Sequence, residues 1–445
     1  MADSKITALT SISTSTDPAV DPLVIVDVSD TSMAASGTSK KVTLNNLLSS
    51  SPTATGAFTV TGKVTANTNI EITRGLLDDG TSTGVGATAL AATTAGATGN
   101  TALGYQSMYR ATTGASNVAI GNSPLSAASM TGSNNVAIGV SPLNALTSGS
   151  SNIAIGNEAG QGVTTAAGNV FLSTRSGKSA SAITGGDNVG IGGDTFRNLT
   201  SGSNNVAIAN NAGNSLTTGS YNVAIGYLAG QKNLTSDYTV AVGFFALRNN
   251  TAAGNVGVGL QALDLNTSGS NNTAVGNNAL SAVVTTSNNT ALGYQAAKTT
   301  TTGNNTAIGS VAFSLGTTAE GITAVGSQSL GLAITTGSYT TAIGFNSGSA
   351  LTSGGGNTFI GVDAGSTTTT GSSNICLGRG AATEAVGSSN SISIGSSSQF
   401  VGTNGAANTY FTTATALSTG TPPLTCGFLR LIINGTARKI AVYAD

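Results

Sequence analysis

The chain has 445 residues, of which 61 are glycine, 7% are charged and 4% are aromatic. Globular proteins carry roughly 25% charged residues, so neither ion-pair networks nor one large aromatic core can hold this chain together. Sixteen basic against 17 acidic residues remove the attraction on which nucleic-acid and anionic-membrane binding rest, and the lack of histidine excludes Ser-His-Asp and Cys-His nucleophiles, histidine-ligated metals and a histidine base.

Two cysteines, Cys376 and Cys426, allow one bridge at most and neither a disulfide framework nor a zinc cluster. The first twenty residues, MADSKITALTSISTSTDPAV, have no basic region followed by an apolar one, and no run of about 18 apolar residues occurs. Neither a secretion signal nor membrane insertion is expected. Residues 1–50 carry strand-like Leu23–Val28, a Ser/Gly turn, and a second strand or helix start at Val42–Leu48, with acidic side chains at Asp17, Asp21, Asp27 and Asp30. The stretch Asp21 to Leu48, DPLVIVDVSDTSMAASGTSKKVTLNNLL, is similar to the start of many phage tail-fibre and other virion fibre proteins, a resemblance that implies attachment to the particle. Residues 51–99 form a neck, with strand-like Phe58–Thr65 and Asn69–Thr73 and a degenerate first coil near Gly86.

From residue 100 onward a five-residue word recurs: NTALG at Asn100–Gly104, NVAIG at Asn117–Gly121, and so on to Gly395, eighteen copies spaced 16 to 19 residues apart and most often 17. Such a period marks a repeat architecture. The second and fourth positions are apolar or β-branched, which reads as a short strand. The fourth position is Ile, Leu or Val throughout, the third is usually Ala, and the fifth is Gly in sixteen copies. The first is Asn in fourteen; stacked copies would join these amides in a hydrogen-bonded ladder. A second pattern follows the Gly, as in Phe245–Leu247, Gln261–Leu263 and Asn278–Leu280, and a Thr/Ser/Gly segment such as Thr217–Tyr221 turns the chain back.

Each unit is therefore one flattened turn of a β-solenoid, with two short strands and two turns. Eighteen turns at about 4.8 Å each make a rod about 85 Å long. So thin a coil buries little apolar surface against the entropy of ordering its backbone, which predicts an oligomer; the small third-position alanines are expected to point away from the interior and line the subunit interface. The words and turns over 100–398 resemble the head repeats of trimeric autotransporter adhesins. That resemblance implies an all-β, left-handed parallel β-roll with three chains around a threefold axis. Residues 399–445 form a tip, where two alternating apolar runs around Asn434-Gly435 predict a β-hairpin; it too is similar to the terminal hairpin of phage fibre proteins.

Signals of chemistry are weak. Gly177-Lys178-Ser179 lacks the first glycine of a phosphate loop, which would fall at Leu172, and Gly190, Gly192, Gly257 and Gly259 arise from the repeat. The segment Gly185–Asp194, GGDNVGIGGD, is similar to calcium-binding nonapeptide repeats but occurs once where consecutive copies are needed. Glycan cleavage needs two carboxylates roughly 5 to 10 Å apart, and in the roll only Asp187 and Asp194 are near neighbours in sequence. Tyr105, Tyr227, Phe244, Tyr294 and Phe345 follow the Gly and serve as outer-corner filler or as stacking surfaces for sugars. The turn threonines, on loops of variable length, are not expected to form the flat array that ice matching requires. No catalytic, cofactor-binding or metal-binding residue is assigned. The expectation is a homotrimeric, non-enzymatic virion fibre, held to the phage tail or capsid by its N-terminus and touching a host surface receptor such as a glycan. A decoration fibre without a receptor and a polysaccharide-hydrolysing tailspike are the alternatives.

Overall fold

The structure, a computed structural model, describes residues 82–91, 97–383 and 386–395 and four short strands beyond them. All belong to the second of two units into which the chain divides, Ile72–Asp445. The strands expected at Leu23–Val28, Val42–Leu48, Phe58–Thr65 and Asn69–Thr73 lie outside the described residues.

Nineteen short strands follow one another: β1 (Thr83–Val85), β2 (Thr101–Leu103), β3 (Val118–Asn122), β4 (Val136–Val140), β5 (Ile153–Ile155), β6 (Val170–Leu172), β7 (Val189–Ile191), β8 (Val206–Ile208), β9 (Val223–Ile225), β10 (Val240–Val242), β11 (Val256–Val258), β12 (Thr273–Val275), β13 (Thr290–Leu292), β14 (Thr306–Ile308), β15 (Thr323–Val325), β16 (Thr341–Ile343), β17 (Thr358–Ile360), β18 (Ile375–Leu377) and β19 (Ile392–Ile394). Each pairs in parallel with the next, in one sheet. Register is strict: Ala119 faces Ala137, and Val240 lies between Val223 and Val256. The result is a parallel β-solenoid of about 18 turns and about 17 residues per turn. Pairing of β1 with β2 carries the coil back to Thr83, ahead of the first full word. Four further strands, β20 (Phe400–Val401), β21 (Thr412–Thr413), β22 (Gly427–Ile433) and β23 (Thr436–Val442), pair antiparallel as β20–β21 and β22–β23. The second pair is the hairpin expected around Asn434-Gly435, whose two turn residues themselves lie outside the described residues.

Two expectations are corrected. Among the described residues each turn has one strand, not two. The side opposite the sheet is a succession of tight turns with left-handed residues at alternate positions, such as Gln261 (φ 55°) and Leu263 (φ 52°), or Asn278 (φ 58°) and Leu280 (φ 49°). An alternating φ sign cannot build an extended strand. The backbone still bonds from turn to turn there, Leu263 N to Ala279 O at 3.1 Å and Leu280 N to Ala296 O at 3.1 Å.

The second correction reverses the strand's faces. The third-position alanines do not line an outer surface; Ala119, Ala137, Ala154 and Ala274 are fully buried inside their own coil. The larger second- and fourth-position side chains point out, with Leu103 at 47%, Ile155 at 40% and Ile394 at 47% exposure. The physical reason is thickness. Leucines of the turn side, including Leu125, Leu143, Leu247 and Leu263, already fill the interior, so the strand opposite has room for a methyl group and no more. At two places where the turn side carries Gly instead, the strand carries a ring: Phe171 lies between Gly160 and Gly177, and Phe359 between Gly348 and Gly365. A Cβ on Gly177 would come within 2.7 Å of the Phe171 ring.

Local chemistry explains the two most regular letters. The fifth-position Gly has φ near 130°, as in Gly226 (129°) and Gly276 (135°), a region closed to L side chains. A Cβ on Gly276 would also run into Gly293 O. The first-position asparagines form the expected ladder: Asn222 donates from N and Nδ2 to Asn205 Oδ1 (2.9 and 3.0 Å), and Asn205 donates from N and Nδ2 to Asn188 Oδ1 (3.0 and 2.9 Å). Buried polar groups must be paired, and the ladder pairs them across turns. At Thr239 the hydroxyl donates to Asn222 Oδ1 at 2.6 Å and accepts from Asn233 Nδ2 at 2.9 Å, so a second amide supports the break.

Candidate interaction surface

The most extensive feature is the outward face of the sheet. Alternation puts the second and fourth strand residues on it, and in β2 to β19 all of these are Val, Ile, Leu or Thr. None is charged. Isolated exposed apolar residues are ordinary, whereas a continuous apolar strip marks a contact surface. The signal for it lies in the words themselves, where the alternation is plain and only its direction is ambiguous.

The exposed aromatic column stands just beyond this face. Tyr105, Tyr227, Phe244, Tyr294 and Phe345 are each 43 to 52% exposed. Stacking of turns brings Tyr227 and Phe244 face to face with centroids 5.4 Å apart, and Phe244 leans on Phe245 at 4.1 Å. The Arg248 guanidinium covers the Phe245 ring at 4.3 Å and pairs with Asp264 at 2.9 Å. At the other end of the same strands Tyr221 and Tyr238, which stand outside the column read from the words, stack at 5.3 Å and 6°. Tyr227 with Phe244 and Phe245, and Tyr221 with Tyr238, thus cover part of one another's faces.

Among the described residues most ion pairs gather in one region. The 19-residue unit from Asn169 to Asn188 takes up its extra length in an exposed loop around Ala180–Ala182. Beside it Arg175 grips Asp194 with Nε at 2.9 Å and Nη2 at 2.7 Å, Arg197 reaches the same carboxylate at 3.1 Å, and Lys178 pairs with Glu158 at 2.7 Å. Lys178, the lysine of the Gly-Lys-Ser triplet, is thus engaged with a carboxylate, and Gly177 packs over Phe171. Asp187 is exposed before β7 while Asp194, after β7, is buried beneath two guanidiniums. Among the described residues no three His, Cys, Asp or Glu side chains converge on a metal-sized site.

The corner threonines bond from turn to turn. Thr147 Oγ1 donates to Thr164 O at 3.1 Å, Thr200 to Thr217 O at 3.1 Å and Thr352 to Thr369 O at 3.0 Å. Their hydroxyls are spent on the next turn's carbonyl, so this column stitches turns together. Among the described residues no helix is long and apolar enough to cross a membrane.

Comparison with known proteins gives no relative: no family model matches the chain, and neither a curated protein nor a solved structure does.

Proposed function

We propose that the protein is a homotrimeric virion fibre of a phage, a structural and adhesive element with no catalysis of its own. In this reading residues 1–50 attach it to the particle, the solenoid is a shaft and spacer, and residues 399–445 meet the host surface. The observation that carries it is the uncharged apolar sheet face along the whole solenoid. Rows about 4.8 Å apart and about 10 Å wide amount to about 900 Å² per chain over nineteen strands, the size of one side of a standard interface at about 800 Å². Only a surface equally long, straight and uncharged complements it over that length, and another copy of the same chain has one. Three copies rather than two follow from the resemblance to trimeric adhesin heads, and the virion setting from the resemblance of Asp21–Leu48 and of the terminal hairpin to fibre proteins. Three tips per fibre multiply weak receptor contacts into firm adsorption.

Light scattering on the purified chain tests the assembly: a mass three times 43.2 kDa is expected, and a monodisperse single-chain mass would overturn it. Antibody against residues 1–50, imaged on particles, should mark the attached end. Deleting residues 399–445 should abolish binding to host cells and leave binding to particles intact. Release of sugar from host envelope polysaccharide by the purified protein would overturn the non-enzymatic reading.

A further inference from the structure

The outward face is not uniform. In β3 to β11 both outward residues are aliphatic, Val118 with Ile120 through Val256 with Val258. In β12 to β17 the second position becomes threonine six times in succession, Thr273, Thr290, Thr306, Thr323, Thr341 and Thr358, while the fourth stays Val, Leu or Ile. In β18 and β19 it returns to Ile375 and Ile392, and in β1 and β2 it is Thr83 and Thr101. The six threonines form one straight column, since each faces the next in the sheet register. Among the described residues none of their hydroxyls bonds to another group of the chain, so they contribute nothing evident to the coil that bears them.

A repetitive apolar strip has a weakness as an interface. Slid by one turn, two copies still match Val and Ile against Val and Ile, so burial alone does not choose an alignment. We propose that the six-threonine block fixes the axial register in which copies of this chain pack against one another. This rests on the trimeric reading above. In register, the threonines of all copies lie at the same level, and a hydroxyl both donates and accepts, so hydroxyls at one level satisfy each other. A slip of one turn sets a Thr against Val or Ile at three boundaries, β2/β3, β11/β12 and β17/β18, and leaves buried hydroxyls unpaired, which is unfavourable. A larger slip leaves more. The device is the solenoid counterpart of a buried polar residue that selects register in a coiled coil.

The test uses the full chain with Cys426→Ser and reports register by disulfide formation. Ile225→Cys in β9 and Val258→Cys in β11 face outward two turns apart, about 9.6 Å along the axis, beyond disulfide reach for copies in register. Copies carrying I225C should cross-link to each other, and a mixture of I225C and V258C chains should not cross-link between the two types. With these six threonines and Thr83 and Thr101 all changed to valine, the 225–258 cross-link should rise to within about threefold of the 225–225 one. A second variant moves the block two turns toward the N-terminus with V240T, V256T, T341V and T358V. Carrying I225C and mixed with parent chains carrying V258C, it should give a 225–258 product absent from the parent mixture, beside the 225–225 and 258–258 products of like chains. Exclusive 225–225 cross-linking of the eight-valine chain, or no gain of 225–258 product with the moved block, would overturn the proposal and place the register in the chain ends. A single-chain mass of the parent would overturn the assembly itself, a different failure visible before any cross-linking.

Discussion

Asn205 shows how much one side chain can carry in this coil. Fully buried, it accepts from Asn222 N and Nδ2 and donates to Asn188 Oδ1 and Gly219 O. Asn205→Ala removes both roles and should cost about 3 kcal/mol in denaturant unfolding, because several buried groups lose partners at once. Asn205→Thr should recover only a small part of this, since the Thr239 hydroxyl is supported by the Asn233 amide and the matching position before Asn205 holds Leu199. Cys376 is the other buried residue with a measurable signature. Burial pushes its thiol up to about 11, and thiolate is the reactive form. Iodoacetamide at pH 8 should therefore leave Cys376 unmodified in the folded protein and label it in urea. The raised value also means that this group's contribution to stability is whole below about pH 9 and is lost as pH rises through about 11. At this scale the sequence is legible. A Gly or an Asn that recurs at one phase answers to one φ angle or one hydrogen bond, and the asparagine ladder is named from the words alone.

Within a single turn the legibility fails at an identifiable point. Alternation separates two faces but does not say which looks inward, and in a sandwich or open sheet the bulkier one usually does. Here the leucines across the coil fill the interior, so the alanine face turns in. The signal that settles it is present in Phe171 and Phe359, each accompanied by Gly on the turn side. The turn side itself reads as a strand because left-handed φ values leave no mark on Leu, Gln or Phe. Those values are costly for ordinary residues. Val311, β-branched and at φ 60°, is the least suited to one of them, and the equivalent positions in other turns hold Asn211, Asn278 and Asn346. Val311→Asn should raise stability by about 1 kcal/mol, read as an upward shift of the thermal midpoint.

For the molecule as a whole, length, repeat number and the thinness that argues for an oligomer are readable from sequence, whereas the uncharged outward face appears only when the strands are in line. The absence of charge from that face makes a prediction of its own. Screening weakens contacts between charges and leaves apolar burial almost untouched. The mass by light scattering should be the same in 20 mM and in 1 M NaCl. Dissociation at high salt would assign the contact to the ion pairs around Asp194 instead, and Arg175→Ala with Arg197→Ala would then abolish it.

Strict register from strand to strand has an evolutionary corollary. Because each coil offers its neighbours above and below nearly the same hydrogen-bonding edge, removing residues 222–238, one full period that begins at an Asn word, leaves a join between two edges that already fit. Unequal recombination between repeats can therefore lengthen or shorten the gene product in steps of about 4.8 Å without passing through a sequence that cannot fold. In the fibre proposed above all copies come from one gene, so they would change together, and the fibre's reach would be a quantity that selection adjusts one coil at a time.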